Sequence, residues 1–390
     1  MNRRGWCPSL FTPMPSGDGW LVRLRPHRAM LSAADARTIA GAAELHGNGM
    51  LELTQRGNLQ IRGLTPASAG LFAAAMLASH IDDSGPNLLV SPLADADPGV
   101  DPHTTAIADA LDAAAPELPD KFLFLVDGGG TVGLRSIRAD IAARADDGKW
   151  SLWIDGETSG AACAATSVPD AMLRLARGSA ASGARRMRDR VEHGGASRIF
   201  AQAGLVAELP PLPVLPPDIL GFRAYRDHQG SFGLGIPFGT LTAETLDQLA
   251  TLAERFGDAI LRLTPFRAVL IAGVAAAQAA ALSATASGWI TDPEDPRRRI
   301  TACIGHPRCA AATVDTHAAA ALLSASAPAH GVHISGCAKG CAHPGPAPFT
   351  LVGRDGVFDI VRNGRAHDPP DETGLTLGQA AAILTGTALP

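Results

Sequence analysis

No apolar run in the 390-residue chain is long enough to span a bilayer; stretches such as residues 274–284 are too short and too rich in alanine. Arg3 and Arg4 stand near the amino terminus without an apolar stretch behind them. Pro8, Pro13, Pro15 and Gly17 interrupt the next part of the chain, so no targeting segment is expected. Excess charge is also missing. A net charge of -5 excludes a global attraction to nucleic acid or to a membrane surface. Aromatic residues are few beside the abundant alanine and glycine, a bias to which no function attaches. Cysteines number six, and four of them fall in the last quarter of the chain, which is not the even stitching of a secreted disulfide framework. The expectation is a soluble, cytoplasmic chain whose clustered thiols bind metal or do chemistry.

What is present begins with an internal repeat. Displaced by 210 residues, two segments align without a gap: Leu31-Ser32-Ala33 on Leu241-Thr242-Ala243, Gly47 on Gly257, Leu51-Glu52-Leu53-Thr54 on Leu261-Arg262-Leu263-Thr264, and Ile61 and Gly63 on Ile271 and Gly273. Each copy reads as βαββ. A strand (20–24; 232–236) precedes a helix opened by a Ser32 or Thr242 N-cap, and two short alternating strands come after it. The fold class expected is α+β, with two ferredoxin-like half-modules related by a pseudo-twofold axis plus two α/β domains. The boundaries are 1–85 for the first half-module, 86–205 for a central α/β domain, 206–220 for a proline-rich linker, 221–288 for the second half-module and 289–390 for a carboxy-terminal domain carrying the cysteines.

The cysteine pattern is C-x5-C at Cys303 and Cys309, then C-x3-C at Cys337 and Cys341. Four thiolates match a cubane, one per iron. They also suit zinc, although zinc knuckles use tighter C-x2-C to C-x4-C spacings, and C-x5-C is awkward for one. Gly305, Gly336 and Gly340 let backbone N–H groups approach sulfur. Cys7 and Cys163 stand alone and read as small buried hydrophobes.

The first 64 residues hold Arg3, Arg4, Arg23, Arg25, His27, Arg28, Arg56 and Arg62, about twice as many arginines as acids. Arg23 and Arg25 alternate with Leu24, which places both on one strand face. Arg forks pair with carboxylates, so this module is expected to cradle a polyanionic ligand; the plain alternative is a solvated charged face.

Gly336-Cys337-Ala338-Lys339-Gly340-Cys341 after C-x5-C resembles the cluster motif of the sulfite and nitrite reductases. Leu53-Thr54-Gln55-Arg56-Gly57-Asn58-Leu59-Gln60 resembles their L-T-x-R-x-x-x-Q motif. The resemblance implies that Cys303, Cys309, Cys337 and Cys341 hold a 4Fe-4S cluster, that Cys341 lies where the cluster meets sirohaem, and that Arg56 faces the substrate. Leu118-Pro119-Asp120-Lys121-Phe122-Leu123 resembles the family's L-P-R-K-F-K segment, with Lys121 kept and Leu123 in place of the second lysine. Pro86 stands where an anion-binding arginine is expected. Two cations that would hold sulfite or nitrite are therefore missing.

Arg3-Arg4-Gly5-Trp6-Cys7-Pro8, residues 13–26, Ser91-Pro92-Leu93-Ala94 and Gly336-Cys337-Ala338-Lys339-Gly340-Cys341-Ala342-His343-Pro344 are similar to the precorrin-3B synthase branch of this superfamily, in the aerobic cobalamin pathway. That resemblance implies hydroxylation of precorrin-3A at C20 by dioxygen with γ-lactone closure. Arg23, Arg25, Arg56 and Arg62 would bind substrate carboxylates, with Arg56 and Lys121 at the reacting face and the cluster relaying electrons. It also implies a non-haem iron, for which His306, His333 and His343 are the nearby candidates against the simpler reading of surface or packing histidines. A sirohaem-dependent sulfite or nitrite reductase is the alternative; a non-catalytic tetrapyrrole carrier is another. Residues 128–133 match G-x-G-x-x-G in form, but residues 131–137 alternate like a strand where a dinucleotide site needs a helix. A hairpin turn is expected there, with electrons from NADH arriving through a separate reductase or ferredoxin.

Overall fold

The computed structural model describes residues 7–81, 85–210, 218–326 and 330–386. Arg3, Arg4 and residues 211–217 of the expected proline linker lie outside them. The first copy of the repeat forms a sheet ordered Met14–Ser16, Gly19–Leu24, Leu59–Leu64, Met50–Leu53, Thr240–Thr242; the second is ordered Gly221–Arg226, Gln229–Gly235, Ala268–Ala275, Ile260–Leu263, Met30–Ser32. Each half thus donates a three-residue edge strand to the other. Leu31 pairs with Leu261 and Leu241 with Leu51, the same contact displaced by the repeat interval. The flanking hydrogen bonds repeat as well: Ala33 N–H to the Ala259 carbonyl and Ala243 N–H to the Gly49 carbonyl.

The exchanged strand runs straight into a helix in both halves. Ser32 caps Ala33–His46 and Thr242 caps Ala243–Phe256, each in a reciprocal capping box, with Asp35 and Thr245 at the third position. The two helices pack together, and one hydrophobic core runs through both halves, from Val22, Ile39 and Leu51 to Leu234, Leu249 and Leu261. Arg262, the repeat counterpart of Glu52, is 1% exposed and bridges Asp258 and Asp95.

Between the copies lies a six-stranded sheet ordered Ala207–Leu209, Gly160–Cys163, Lys149–Ile154, Ile141–Asp146, Phe124–Asp127, Leu88–Val90. The hairpin expected at residues 128–137 is absent. Phe124–Asp127 pairs in parallel with Ile141–Asp146, and the connection is an irregular loop. The buried Asp127 carboxylate shapes it by accepting from the N–H groups of Gly129 and Leu134. No helix comes after the glycines, in keeping with the exclusion of a dinucleotide turn.

The last sheet is ordered Ile300–Ala302, Val332–Ser335, Ala347–Arg354, Val357–Gly364, Glu372–Leu375, with the first three strands parallel. No helix among the described residues is long and apolar enough to cross a membrane.

Candidate functional site

Cys303 and Cys337 emerge from the carboxyl ends of two adjacent parallel strands, whose register pairs Ala302 with Ile334. The Cys303 N–H donates to the Ile334 carbonyl, and the Gly336 N–H donates to the Cys303 sulfur at 3.2 Å. The two cysteine loops are laced together: Thr313 N–H reaches the Gly336 carbonyl, and Thr316 Oγ1 donates to the Cys303 carbonyl at 2.6 Å. Burial pushes the Cys303 thiol up, opposed by the N–H groups of Gly336 and Gly305 and by Thr316. Cys341 is exposed as a residue, yet its sulfur loses enough water to be raised; Lys339 lowers it, and Cys303 and Cys337 raise it again. Three of the four sulfurs therefore share one electrostatic neighbourhood.

The fourth, Cys309, is held by its N–H to the Gly305 carbonyl and meets the amino-terminal hairpin, where Gly17 leaves room for its sulfur. Four thiols on two interlocked loops, with backbone N–H groups turned to sulfur, form a donor set that fits an iron–sulfur cluster. Among the described residues no three His, Cys, Asp or Glu side chains converge on the tight spacing a single metal ion needs. His306 is exposed, and the His343 Nε2 lies 3.2 Å from the Pro346 carbonyl oxygen. His333 is 1% exposed, its two ring nitrogens have no hydrogen-bond partner among the described residues, and burial, then His343 and Arg267, hold its pKa down at about 4.

The basic residues divide into two groups. Arg56 rides a tight turn that Thr54 Oγ1 closes by accepting from the N–H groups of Arg56 and Asn58. Gly57 (φ +66°) is required in that turn, because a Cβ would press on Ala29 and the Leu263 carbonyl, both at 3.1 Å. The Arg56 guanidinium donates to the Lys121 carbonyl at 3.1 Å. Burial pushes its pKa down, and Arg186 and Arg23 push it further, with Asp140 and Cys7 opposing. Arg25 lies just past the strand carrying Arg23 and donates to Asn87 Oδ1 at 3.0 Å. Arg25, Arg56, Pro86, Asn87 and Leu123 line one recess. Lys121 is exposed and lines a neighbouring cavity with Arg186.

Arg62 is differently disposed. It is 9% exposed, and its guanidinium is taken up by Asp18 (2.7 and 2.8 Å), Glu52 (2.6 Å) and Ser16 (2.9 Å). It still bears on the cysteine site, since its charge helps lower the Cys341 thiol.

Two cations escaped the sequence reading. Arg267 comes directly after Phe266, the repeat counterpart of Arg56; burial pushes it down, Glu52 opposes, and it donates to Thr301 Oγ1. Arg186 lies in an arginine-rich turn without a recognisable spacing. Position 267 could have been found from the repeat, one residue past the Arg56 equivalent; position 186 could not.

The profile of the nitrite/sulfite reductase ferredoxin-like half domain matches residues 12–79 and 225–286. The chain is 35% identical to a precorrin-3B synthase of Sinorhizobium sp, over 98% of this chain and 88% of that one. It is 26% identical to a ferredoxin–nitrite reductase of Synechococcus elongatus, over 90% and 79%. The structure of the NirA protein of Mycobacterium tuberculosis superposes with a TM-score of 0.69 at 18% identity, over 94% of this chain and 79% of that one, which shows the shared fold. The chain is an oxidoreductase and belongs to the precorrin-3B synthase family, within the sulfite and nitrite reductase superfamily whose half-domain it carries twice.

Proposed function

We propose that this chain converts precorrin-3A to precorrin-3B in aerobic cobalamin biosynthesis. One atom of dioxygen enters at C20, γ-lactone closure completes the product, and the other oxygen leaves as water with two electrons and two protons from an external donor, NADH by way of a reductase or a ferredoxin. The observation that carries this reading is the loss of small-anion cations at Pro86 and Leu123, beside arginines that remain. Leu123 is 4% exposed, and its polar contacts are made by backbone alone: its N–H donates to the Asp140 carboxylate and its carbonyl accepts from the N–H groups of Asp140 and Ile141. A six-electron reduction of sulfite or nitrite would leave the anion poorly held there. The near full-length likeness to a precorrin-3B synthase supports the same reading.

Cys303, Cys309, Cys337 and Cys341 would hold a 4Fe-4S cluster, which supplies single-electron relay when bound. Arg23, Arg25 and Arg56 bind carboxylates of the macrocycle through charge-assisted hydrogen bonds. Lys121 lines the neighbouring cavity, and Arg56 fixes that segment through the Lys121 carbonyl. Arg62 acts as a positioning residue, because its donors are spent on Asp18 and Glu52.

The test is anaerobic purification with iron, acid-labile sulfide, zinc and the visible spectrum measured together, then reaction with precorrin-3A under isotopically labelled dioxygen. Four irons and four sulfides, no retained sirohaem and one labelled oxygen in the product are expected. Retained sirohaem with sulfite or nitrite reduction would move the assignment to the reductases, and zinc without sulfide would sink both.

A further inference from the structure

Arg186 immediately precedes helix Met187–Gly194 and lines a cavity of about 820 Å³ together with Lys121 and Arg185. Its Nε donates to both oxygens of Asp140, at 3.0 and 3.2 Å. Asp140 is fully buried, and the same two oxygens accept from the Met187 N–H at 2.8 Å and the Leu123 N–H at 2.9 Å. One buried carboxylate thus ties the turn bearing Arg186 to residues 121–123. Arg56 grips the same short segment from the first half-module, through the Lys121 carbonyl.

Three guanidiniums gather here. Arg186 exerts the strongest charge effect on Arg56, and Arg23, whose buried Nε has no hydrogen-bond partner among the described residues, the next strongest. Against them stands Asp140, already shared among Arg186 and two backbone N–H groups. The terminal nitrogens of Arg186 have no hydrogen-bond partner among the described residues. Arg186 keeps about a third of its side chain (32%) exposed, so its uncommitted terminal nitrogens remain open to a further anion beside one committed carboxylate.

We propose that Arg186 is a specificity-determining residue, forming with Arg56 and Arg23 an anion subsite that takes a carboxylate of the macrocyclic substrate. The proposal rests on the tetrapyrrole reading above. The subsite compensates for Pro86 and Leu123 without restoring a small-oxyanion site. Those two residues line the recess with Arg25 and Arg56, whereas Arg186 lines the adjoining cavity with Lys121. A ligand with carboxylates on a wide rim can reach both; a small oxyanion cannot.

The experiment is equilibrium binding of uroporphyrin III, an octacarboxylate macrocycle, to the anaerobic holoprotein, monitored by fluorescence quenching. Arg186→Gln should weaken binding about tenfold, as loss of a charge-assisted pair does, and flatten its salt dependence. Arg186→Lys keeps a cation beside Asp140, loses the fork, and should fall between. Wild-type affinity in both variants would overturn the subsite while leaving the tetrapyrrole reading intact. Should Arg186→Gln fail to fold, unchanged affinity in Arg186→Lys overturns it alone. Failure of the wild-type protein to bind uroporphyrin III would overturn the tetrapyrrole reading and the subsite with it.

Discussion

Gly17 lies against Cys309 so closely that a Cβ on it would stand 2.4 Å from the Cys309 sulfur. The Ala310 N–H donates to the Gly17 carbonyl at 2.8 Å, so backbone and sulfur are gripped together. The glycine belongs to the hairpin whose Ser16 and Asp18 are held by Arg62. The first half-module is thereby keyed into a cysteine loop nearly three hundred residues away in sequence.

Gly17→Ala should disturb the cysteine site while leaving the fold in place. Cluster affinity is expected to drop about tenfold, the lower end for changes beside a metal ligand. Iron and sulfide per chain, read beside circular dichroism, check this; unchanged iron in a folded variant would show that Cys309 is not a ligand.

Serine at Cys303, Cys309, Cys337 or Cys341 should each abolish the visible shoulder of a cluster. Serine at Cys163 should leave it unchanged, since that thiol lies by the edge of the central sheet, raised by burial with Arg174 opposing. Equal loss in the Cys163 variant would argue for general misfolding instead.

Arg62→Ala leaves Asp18 and Glu52 without their shared cation, and Asp18 has a fully buried side chain. A loss of about 3–5 kcal/mol is expected, the usual result of breaking one side of a buried ion pair. Arg37, which joins the two long helices through Asp247 and Glu254 at the surface, should matter far less on removal, because solvent screens it. Urea unfolding midpoints compare the two, and a larger drop for Arg37→Ala would reverse their ranking.

His333 should make stability depend on pH. Its folded pKa of about 4 lies below the ordinary 6.5, so the unfolded chain binds the proton more readily. The neutral folded form is fully favoured above pH 6.5, and the advantage is lost as pH falls towards 4. The contribution at pH 5 should be about 2 kcal/mol below that at pH 7. His333→Asn should remove that difference; an identical pH dependence in wild type and variant would show that His333 is paired in solution.

Local chemistry made much of this chain legible. The 210-residue repeat, the Ser32 and Thr242 caps and the four-cysteine spacing are properties of short segments, and each is present as read. The loop at residues 128–137 departs from the strand its alternation suggests, because alternation alone cannot sense the Asp127 carboxylate that folds it. The commitment of Arg62 to Asp18 and Glu52 was hidden for a similar reason, since a count of arginines does not pair them.

The sequence by itself determined the two half-modules, their helix starts and the identity of the four thiols, because periodicity, capping and spacing act within a few turns of chain. Tertiary structure alone decided the exchange of Met30–Ser32 and Thr240–Thr242, the meeting of Arg56 with Arg186 across the Lys121 segment, and the burial of His333. Those depend on which distant surfaces exclude water together, and a desolvated charge or imidazole acquires its character only once that enclosure forms.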